Sequence, residues 1–361
     1  MKNLFVVVTP FHLMTSFILM KSIFADDENY LALLHPHGYD RWQDEKLMNY
    51  LASKDAGYKA VYPLIKWFKT GSGSYAKQAD DVKKELGAVG FDQLFLGGDY
   101  ELQTQMLVAA LGKTSFYRIE DGLNSYTNSN PCRPWYHALF HLLKMHIIKM
   151  RAGIKSDLKF NTKCFACSEA ATRDYMYKPE IMTRKSPCPI AIDKMMVKQA
   201  VEDLSAHNLL KPVFTEDTVI YLSQPLVEQG RLKQETELNA LRLMLKTIKP
   251  GTKFLFKPHP NDKREKIDEY KKALPELTVY DSKVPVEFLY AAEPNLKAIV
   301  SYQSSALMFR NIFTDADIKM ISLAEIYGNS LQKEYFQVMA KAGVVFPTSE
   351  AELQDLLAQI S

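Results

Sequence analysis

A lysine and a histidine stand at the end of an apolar run in residues 252–260 (TKFLFKPHP). Residues 254–256 predict a buried strand, and two prolines end it, because proline lacks a backbone donor and restricts the residue before it. Lys257, His259 and Pro260 are therefore expected at the carboxyl end of a strand, which is the ligand side of an open α/β sheet. Lysine is positively charged and histidine gains a proton readily, so both side chains suit an anionic ligand.

Two adjacent serines follow a second apolar run further along the chain. Residues 296–300 predict a strand, and Ser304 and Ser305 come shortly after it. Hydroxyls beside a helix start favour an anion, because the first N–H groups of a helix are unpaired. With Lys257 and His259 they predict a phosphate site. The alternatives are a structural hydrogen bond by the histidine, and helix capping by the serines, which is compatible with phosphate binding.

Two acids and a glycine form a second cluster. Glu120, Asp121 and Gly122 follow residues 114–119, which predict another strand. Successive side chains on a strand point in opposite directions, so one carboxylate can face the ligand side while the other turns away. Such a carboxylate can act as a general base on an acceptor hydroxyl, and the glycine permits a positive φ. The alternative is a helix cap or a surface turn.

Strands and helices alternate along the whole chain, and this alternation predicts parallel α/β sheets. The loops at strand ends are expected to line the substrate sites: residues 10–12, which include Pro10, residues 97–99, which include Gly98, and the loop that carries Gln224. The predicted strands are residues 4–8, 30–34, 59–62, 93–96, 114–119, 218–222, 254–256, 277–280, 296–300 and 318–322.

Length and composition predict a soluble globular protein of about two domains, and the alternation of strands and helices predicts two Rossmann-like domains with a cleft between them. The chain has 361 residues, 47% of them hydrophobic and 24% charged, which accommodates about two domains. A turn-rich stretch, residues 185–189, is interpreted as the inter-domain linker. The predicted domains are residues 1–185 and residues 186–345, followed by a terminal helix in residues 346–361.

Several classes of protein do not fit the composition. A net charge of +3 gives no reason to expect nucleic-acid binding, and neither a dinucleotide fingerprint nor a P-loop is present. Four cysteines favour a reducing, cytoplasmic compartment. The lone CxxC of residues 164–167 has no partner motif, so no metal site is expected. The apolar start is interpreted as a first strand, and no run is long enough for a transmembrane helix.

A helix predicted over residues 136–149 admits two interpretations. It has a broad apolar surface, and basic residues cluster in residues 144–155. It is either a core or inter-domain helix, or a helix that lies in a membrane interface. On the second interpretation the protein associates peripherally with the inner face of the cytoplasmic membrane through residues 136–155. Assembly into a homodimer is left open.

Three motifs resemble those of bacterial sialyltransferases in their order along the chain. They are the acidic-acidic-glycine motif at residues 120–122, the His-Pro motif at 259–260 and the Ser-Ser motif at 304–305. Glu287 lies between the last two, where related enzymes carry a glutamate that binds the nucleotide ribose. The Glu-Asp form of the acidic pair also occurs in polysialyltransferases.

Two further stretches look most like glycosyltransferase family 52, the lipooligosaccharide and capsule sialyltransferases. They are residues 9–11 (TPF) and 221–226 (YLSQPL). The resemblance implies a GT-B fold, in which two Rossmann-like domains face each other across a cleft. It makes residues 1–185 the acceptor-side domain and residues 186–345 the nucleotide-sugar-binding domain. It also implies a metal-independent enzyme that needs no cofactor and transfers sialic acid, with inversion, from CMP-sialic acid to a hydroxyl of a bacterial surface glycan.

The resemblance also assigns roles to residues. Asp121 or Glu120 would be the base, and Asp121 is favoured because it adjoins the glycine. The CMP phosphate and ribose would be held by His259, Ser304, Ser305 and Glu287. Rival interpretations are a CDP-glycerol-type glycerophosphotransferase, another surface-glycan glycosyltransferase or polysialyltransferase, and a binding protein without catalysis. The acceptor sugar and the linkage are not predicted.

Overall fold

The structure, a computed structural model, describes residues 1–34, 46–63, 74–127, 134–162, 166–327 and 333–360. The chain divides into two compact units, Met1–Ala200 and Val201–Ser361. Each unit is built on one sheet whose strands are all paired in parallel. The predicted parallel α/β architecture is therefore confirmed for both halves of the chain.

The first unit contains a seven-stranded sheet in the order β3-β2-β1-β4-β5-β6-β7. Its strands are β1 (Lys2–Val7), β2 (Glu28–Leu33), β3 (Ala60–Pro63), β4 (Gln93–Leu96), β5 (Phe116–Ile119), β6 (Ala171–Met176) and β7 (Pro189–Ala191). Its helices are α1 (Pro10–Lys21), α2 (Lys46–Leu51), α3 (Tyr75–Glu85), α4 (Leu102–Ala110), α5 (Trp135–Arg151) and the first part of α6 (Lys194–Ala206). The side chains of β1 from Leu4 to Val7 are fully buried, as expected of a central parallel strand.

The last two strands of this sheet are not predicted by the sequence. β6 carries Arg173 and Asp174 at its centre, and so lacks the continuous apolar pattern of a buried strand. β7 pairs with β6 in parallel, so residues 185–189 lead into the first sheet and do not link the two units. The linker interpretation fails because proline-rich composition is shared by linkers and by short loops between strands.

The second unit contains a five-stranded sheet in the order β10-β9-β8-β11-β12. Its strands are β8 (Thr218–Leu222), β9 (Lys253–Lys257), β10 (Thr278–Val279), β11 (Leu296–Ser301) and β12 (Lys319–Ser322). Its helices are α7 (Gln234–Thr247), α8 (Arg264–Ala273), α9 (Val286–Ala292), α10 (Arg310–Phe313), α11 (Ala324–Tyr327), α12 (Lys333–Lys341) and α13 (Glu350–Ala358). The terminal helix α13 belongs to the core of this unit, since Leu353 and Leu357 are buried in it.

The strand order creates a switch point in each sheet. In the first unit β1 lies between β2 and β4, and in the second unit β8 lies between β9 and β11. Connections leave such a central strand in opposite directions, and the gap outside the carboxyl ends of these strands is where open α/β sheets bind ligands. A ligand site is therefore expected at the loops that follow β1, β4 and β5 in the first unit, and at those that follow β8, β9 and β11 in the second.

Candidate active site

Asp121 and His12 meet where β5 and β1 end in the first unit. The Nε2 atom of His12 lies 3.0 Å from Oδ1 of Asp121. The imidazole is fully buried, whereas 25% of the Asp121 side chain is exposed. Thr9 begins α1 as its N-cap, and its Oγ1 accepts the His12 backbone N–H at 3.2 Å, so the first helical turn fixes the backbone that carries the histidine.

A glycine leaves room for this histidine. A Cβ atom on Gly97 would lie 2.4 Å from Cγ and Nδ1 of His12, a distance at which one of the two groups must move. In the described residues neither ring nitrogen of His12 meets the geometry of a hydrogen bond, so its 3.0 Å approach to Asp121 is a close contact between a charged group and a polar ring. Gly98, expected to line the substrate site, adopts φ +72, and its Cβ would meet Val8 at 3.0 Å. The glycines thus serve close packing behind the Asp121–His12 pair.

Glu120 points in the opposite direction from Asp121. Its carboxylate is 1% exposed and accepts hydrogen bonds from the Tyr126 hydroxyl at 2.7 Å and the Tyr177 backbone N–H at 2.8 Å. Burial, and then the neighbouring carboxylate, raise the pKa of Tyr126, which stays a neutral donor. Gly122, which follows Asp121, adopts φ +62, the positive φ that a glycine permits. Of the two acids, Asp121 is the one that reaches the surface.

Two arginines and two aspartates support the turn that carries Asp121. Arg118 donates to Asp99 at 2.9 Å and to Asp174 at 2.8 Å. Arg184 donates to Asp174 at 2.8 Å and to the carbonyl of Ser125 at 2.6 Å, and Ser125 Oγ in turn accepts the Asp121 backbone N–H. Burial raises the pKa of Asp174, but the two arginines outweigh it and hold that pKa below its ordinary value. The network is balanced in charge, as a buried cluster requires.

The His259 turn follows β9 in the second unit. The His259 N–H donates to Asp262 at 2.9 Å, and its Nδ1 accepts the Asn261 N–H at 3.0 Å. This acceptor role assigns the proton of the neutral ring to Nε2. The Lys257 ammonium donates to the carbonyl of Ser282 and lies 5.5 Å from the centre of the Tyr280 ring. Pro260, the last residue of the predicted set in this turn, is exposed.

The loops after β8 and β11 are joined by Gln224. Its Oε1 accepts the Gln303 N–H at 2.8 Å. Ser304 caps the short 3-10 helix Ser305–Met308, since its Oγ accepts the Ala306 N–H at 3.3 Å. The predicted helix start is thus a single 3-10 turn, in which both serines are partly exposed.

Glu287 lies in the first turn of α9 and is 5% exposed. Burial raises its pKa to about 7, although the charge of Lys257 acts in the opposite direction. A carboxyl group poised near neutral pH can both accept and donate hydrogen bonds, which suits a hydroxyl ligand such as a ribose.

The predicted residues thus form two sets. Asp121, with Pro10 nearby in the α1 turn, lies at the carboxyl edge of the first sheet, and the His259 set lies at the carboxyl edge of the second. Sequence reasoning included His12 in a ligand-facing loop but did not single it out; its position just after a Thr-Pro helix start was the available signal. In the described part of the chain, no group of three His, Cys, Asp or Glu side chains could hold a metal ion. Cys164 of the CxxC lies outside the described residues.

Comparison with known proteins supplies the family. The profile of the alpha-2,8-polysialyltransferase family (POLYST) matches residues 3–323. The chain belongs to this family. An uncharacterised protein of Haemophilus influenzae is 25% identical over 197 residues, which are 54% of this chain and 59% of that protein. The POLYST family comprises sialyltransferase-type glycosyltransferases, in agreement with the resemblance seen in the motifs.

Solved structures agree on the fold. The UDP-GlcNAc 2-epimerase of Neisseria meningitidis, bound to UDP-GlcNAc, has a TM-score of 0.57 at 13% identity, with 99% of this chain and 91% of that chain covered. The UDP-GlcNAc 2-epimerase of Methanocaldococcus jannaschii has a TM-score of 0.52 at 11% identity, with the same coverage. At these identities the likeness concerns the fold alone. The two Rossmann-like units confirm the predicted GT-B fold class.

Proposed function

We propose that this POLYST family member transfers sialic acid from CMP-sialic acid to a hydroxyl of a bacterial surface glycan, with inversion at the anomeric carbon. The observation that carries the proposal is the Asp121 carboxylate. It is partly exposed at the switch point of the first sheet and lies 3.0 Å from a buried imidazole. A carboxylate held in this way is equipped to accept a proton from an attacking hydroxyl.

The proposed reaction is a single displacement. The Asp121 carboxylate takes the proton of the acceptor hydroxyl as its oxygen forms a bond to the anomeric carbon. The bond from that carbon to the CMP phosphate breaks, and CMP leaves with the electron pair. Glu120 has an internal role in this scheme, because its carboxylate is enclosed by Tyr126 and the Tyr177 N–H.

Support for the departing phosphate comes from the second unit. The His259 ring, with its proton assigned to Nε2, and the partly exposed hydroxyls of Ser304 and Ser305 are donors that suit a phosphate. Lys257 adds a positive charge, and Glu287 would accept the ribose hydroxyls. Because CMP leaves as a monophosphate, these donors can stabilise it without a metal ion, and we expect turnover to survive EDTA.

The acceptor is proposed to be a sialic acid at the end of a growing chain, since the family is named for alpha-2,8 polysialyl transfer. A different terminal sugar of a surface glycan such as lipooligosaccharide is the other acceptor to test. Polymer formation from a short sialic acid primer would separate the two, because transfer to a different sugar stops after one addition.

We also propose that α5 docks on an anionic membrane, as an interfacial helix of the acceptor-side unit. Met145 and Ile148 are its buried contacts, so one face packs on the unit. The opposite face is apolar as well, with exposed fractions between 44% and 77% for Trp135, Tyr136, Leu139, Phe140, Leu143, Ile147 and Met150. No helix among the described residues is long and apolar enough to cross a bilayer.

Charge around α5 favours a lipid surface over a second copy of the chain. Residues 122–156 contain five Lys and Arg and no Asp or Glu. His137, Lys144 and Arg151 are spaced by seven and so follow one edge of the exposed apolar face. Two copies packed through this face would bring like charges together, whereas anionic headgroups complement them.

The test of the proposed activity is nucleotide binding followed by turnover. CMP should raise the melting temperature more than UDP or GDP does, and CMP-sialic acid should be consumed in EDTA in the presence of a sialylated acceptor. A larger shift with UDP or GDP would contradict the proposal. Consumption of CDP-glycerol in place of CMP-sialic acid would assign the site to glycerophosphate transfer instead.

A further inference from the structure

A buried lysine lies beneath the loops of the His259 set. Lys266 of α8 is 6% exposed. Its ammonium lies 3.0 Å from Glu237 Oε2, 3.1 Å from Ser223 Oγ, 3.3 Å from the Gln224 carbonyl and 3.3 Å from Asp262 Oδ1. An ammonium has three donors, and here they are surrounded by charged and polar acceptors from three parts of the unit.

These contacts connect Lys266 to every loop of the proposed phosphate site. The second carboxylate oxygen of Asp262 accepts the backbone N–H of His259, so the lysine reaches the histidine turn through one residue. The Gln224 carbonyl accepts from Lys266, and the Gln224 side chain accepts the Gln303 N–H. The loops after β8, β9 and β11 are thus tied to one buried charge.

The charge of Lys266 is needed where it lies. Besides Asp262 and Glu237, the Glu228 carboxylate lies 3.8 Å from the ammonium. Glu237 also accepts hydrogen bonds from Tyr221 at 2.9 Å and Tyr270 at 2.7 Å, and burial, then the Glu237 charge, raise the pKa of both tyrosines. Buried carboxylates are stable only when paired with a cation or with donors, so without the lysine they would separate or draw in water.

We propose that Lys266 is a positioning residue for the donor nucleotide: it touches no substrate but sets the placement of the His259 turn and of the Gln224 loop against the nucleotide phosphate. This inference rests on the proposed function, in which those loops hold CMP. The cluster would act through geometry, since a displacement of about 1 Å in a phosphate-binding donor is enough to lose much of its effect.

The test compares CMP affinity in Lys266→Met with that in Tyr270→Phe. Tyr270→Phe is the matched control, because it removes one donor from Glu237 and keeps the ring that lies 5.5 Å from the Lys266 ammonium. We expect Lys266→Met to weaken CMP binding by tenfold or more in calorimetry and to raise the KM for the donor, with the acceptor KM unchanged. Tyr270→Phe should lower the melting temperature and leave CMP affinity within twofold.

A second variant decides the question if Lys266→Met does not fold. Asp262→Ala cuts the link from the lysine to the His259 N–H and should weaken CMP binding at least fivefold. CMP affinity equal to wild type in a folded Lys266→Met or Asp262→Ala protein would overturn the positioning role. Failure of the proposed function looks different, because the wild-type protein itself would then not bind CMP.

Discussion

His12 and Asp121 lie 3.0 Å apart at the carboxyl edge of the first sheet, the imidazole fully buried and the carboxylate partly exposed. The two residues are separated by more than one hundred positions in the sequence and meet because β1 and β5 flank β4. The cap at Thr9 holds the His12 backbone, and the ring packs closely against Gly97, so the ring has a defined place beside the acid. Asp121 is thereby aimed outward, while Glu120 is enclosed.

Asp121→Asn tests the base. The amide keeps the shape of the side chain but not its basicity, so kcat should fall by on the order of 10²–10⁴, with CMP affinity nearly unchanged. Steady-state kinetics and calorimetry on the same preparation give both values. Glu120→Gln is the comparison, and its chief effect should be a lower melting temperature. If Asp121→Asn keeps full activity while Glu120→Gln loses it, the roles are reversed.

Gly97→Ala tests whether His12 must occupy its observed position. The new methyl group would lie 2.4 Å from two ring atoms of His12, so the ring must move away from Asp121. Activity should fall by on the order of tenfold or more, in line with the sensitivity of catalysis to small displacements. Gly87→Ala is the control, because its nearest neighbour would be a Cβ at 3.8 Å. Wild-type activity in Gly97→Ala would remove His12 from the site.

His259→Ala should reduce both turnover and CMP binding, which distinguishes it from the Asp121 change. The product carries the same phosphate as the donor, so loss of this contact should weaken CMP binding. The contact also strengthens as negative charge develops on the departing phosphate, so its loss should lower kcat as well. We expect kcat to fall by on the order of 10²-fold, with weaker CMP binding in calorimetry. The double change Ser304→Ala, Ser305→Ala should act in the same direction but more mildly. A histidine variant with unaltered CMP affinity would leave that ring without a phosphate role.

Glu287 predicts a dependence of stability on pH. Its pKa is about 7 in the folded protein and its ordinary value is 4.5, so the folded state binds the proton more tightly. The free energy of unfolding should therefore fall, by on the order of 3 kcal/mol, as the pH rises from about 4.5 to about 7. Glu287→Gln should remove this pH dependence. In urea titrations, the free energy of unfolding of the variant relative to wild type should therefore be higher at pH 8 than at pH 5. An equal difference at both pH values would contradict this.

Liposome flotation tests the α5 surface. Binding to vesicles with anionic lipid should exceed binding to neutral vesicles, and should be lost when Lys144, Arg151 and Lys155 are changed to Glu. The control changes Lys77, Lys83 and Lys84 of α3 to Glu, which gives the same change in net charge on another exposed surface of the unit. Flotation of both triple variants at wild-type levels, or none by the wild type, would contradict docking of α5 on an anionic membrane.

Much of the fold follows from local pattern. β4 and β8 have the bounds that the sequence predicts, because short apolar runs between polar turns are typical of buried parallel strands. β6 and β7 are missed, because the Arg173–Asp174 pair hides the strand pattern. The Arg118–Asp174–Arg184 network is missed together with β6. It cannot be predicted without knowing that β5 and β6 are neighbours.

The candidate site is likewise predicted by the sequence in part, and the rest of it depends on the tertiary structure. The sequence by itself determined which residue types stand at strand ends, since Glu120–Asp121, the His259 turn and Ser304–Ser305 each follow an apolar run. Only the tertiary structure decided that Asp121 is the acid that reaches the surface, that His12 is its neighbour and that Lys266 lies beneath the second set. Local pattern reports which side chains prefer burial, but the pairing of buried charges depends on strand order, and strand order brings together residues that are far apart in the chain.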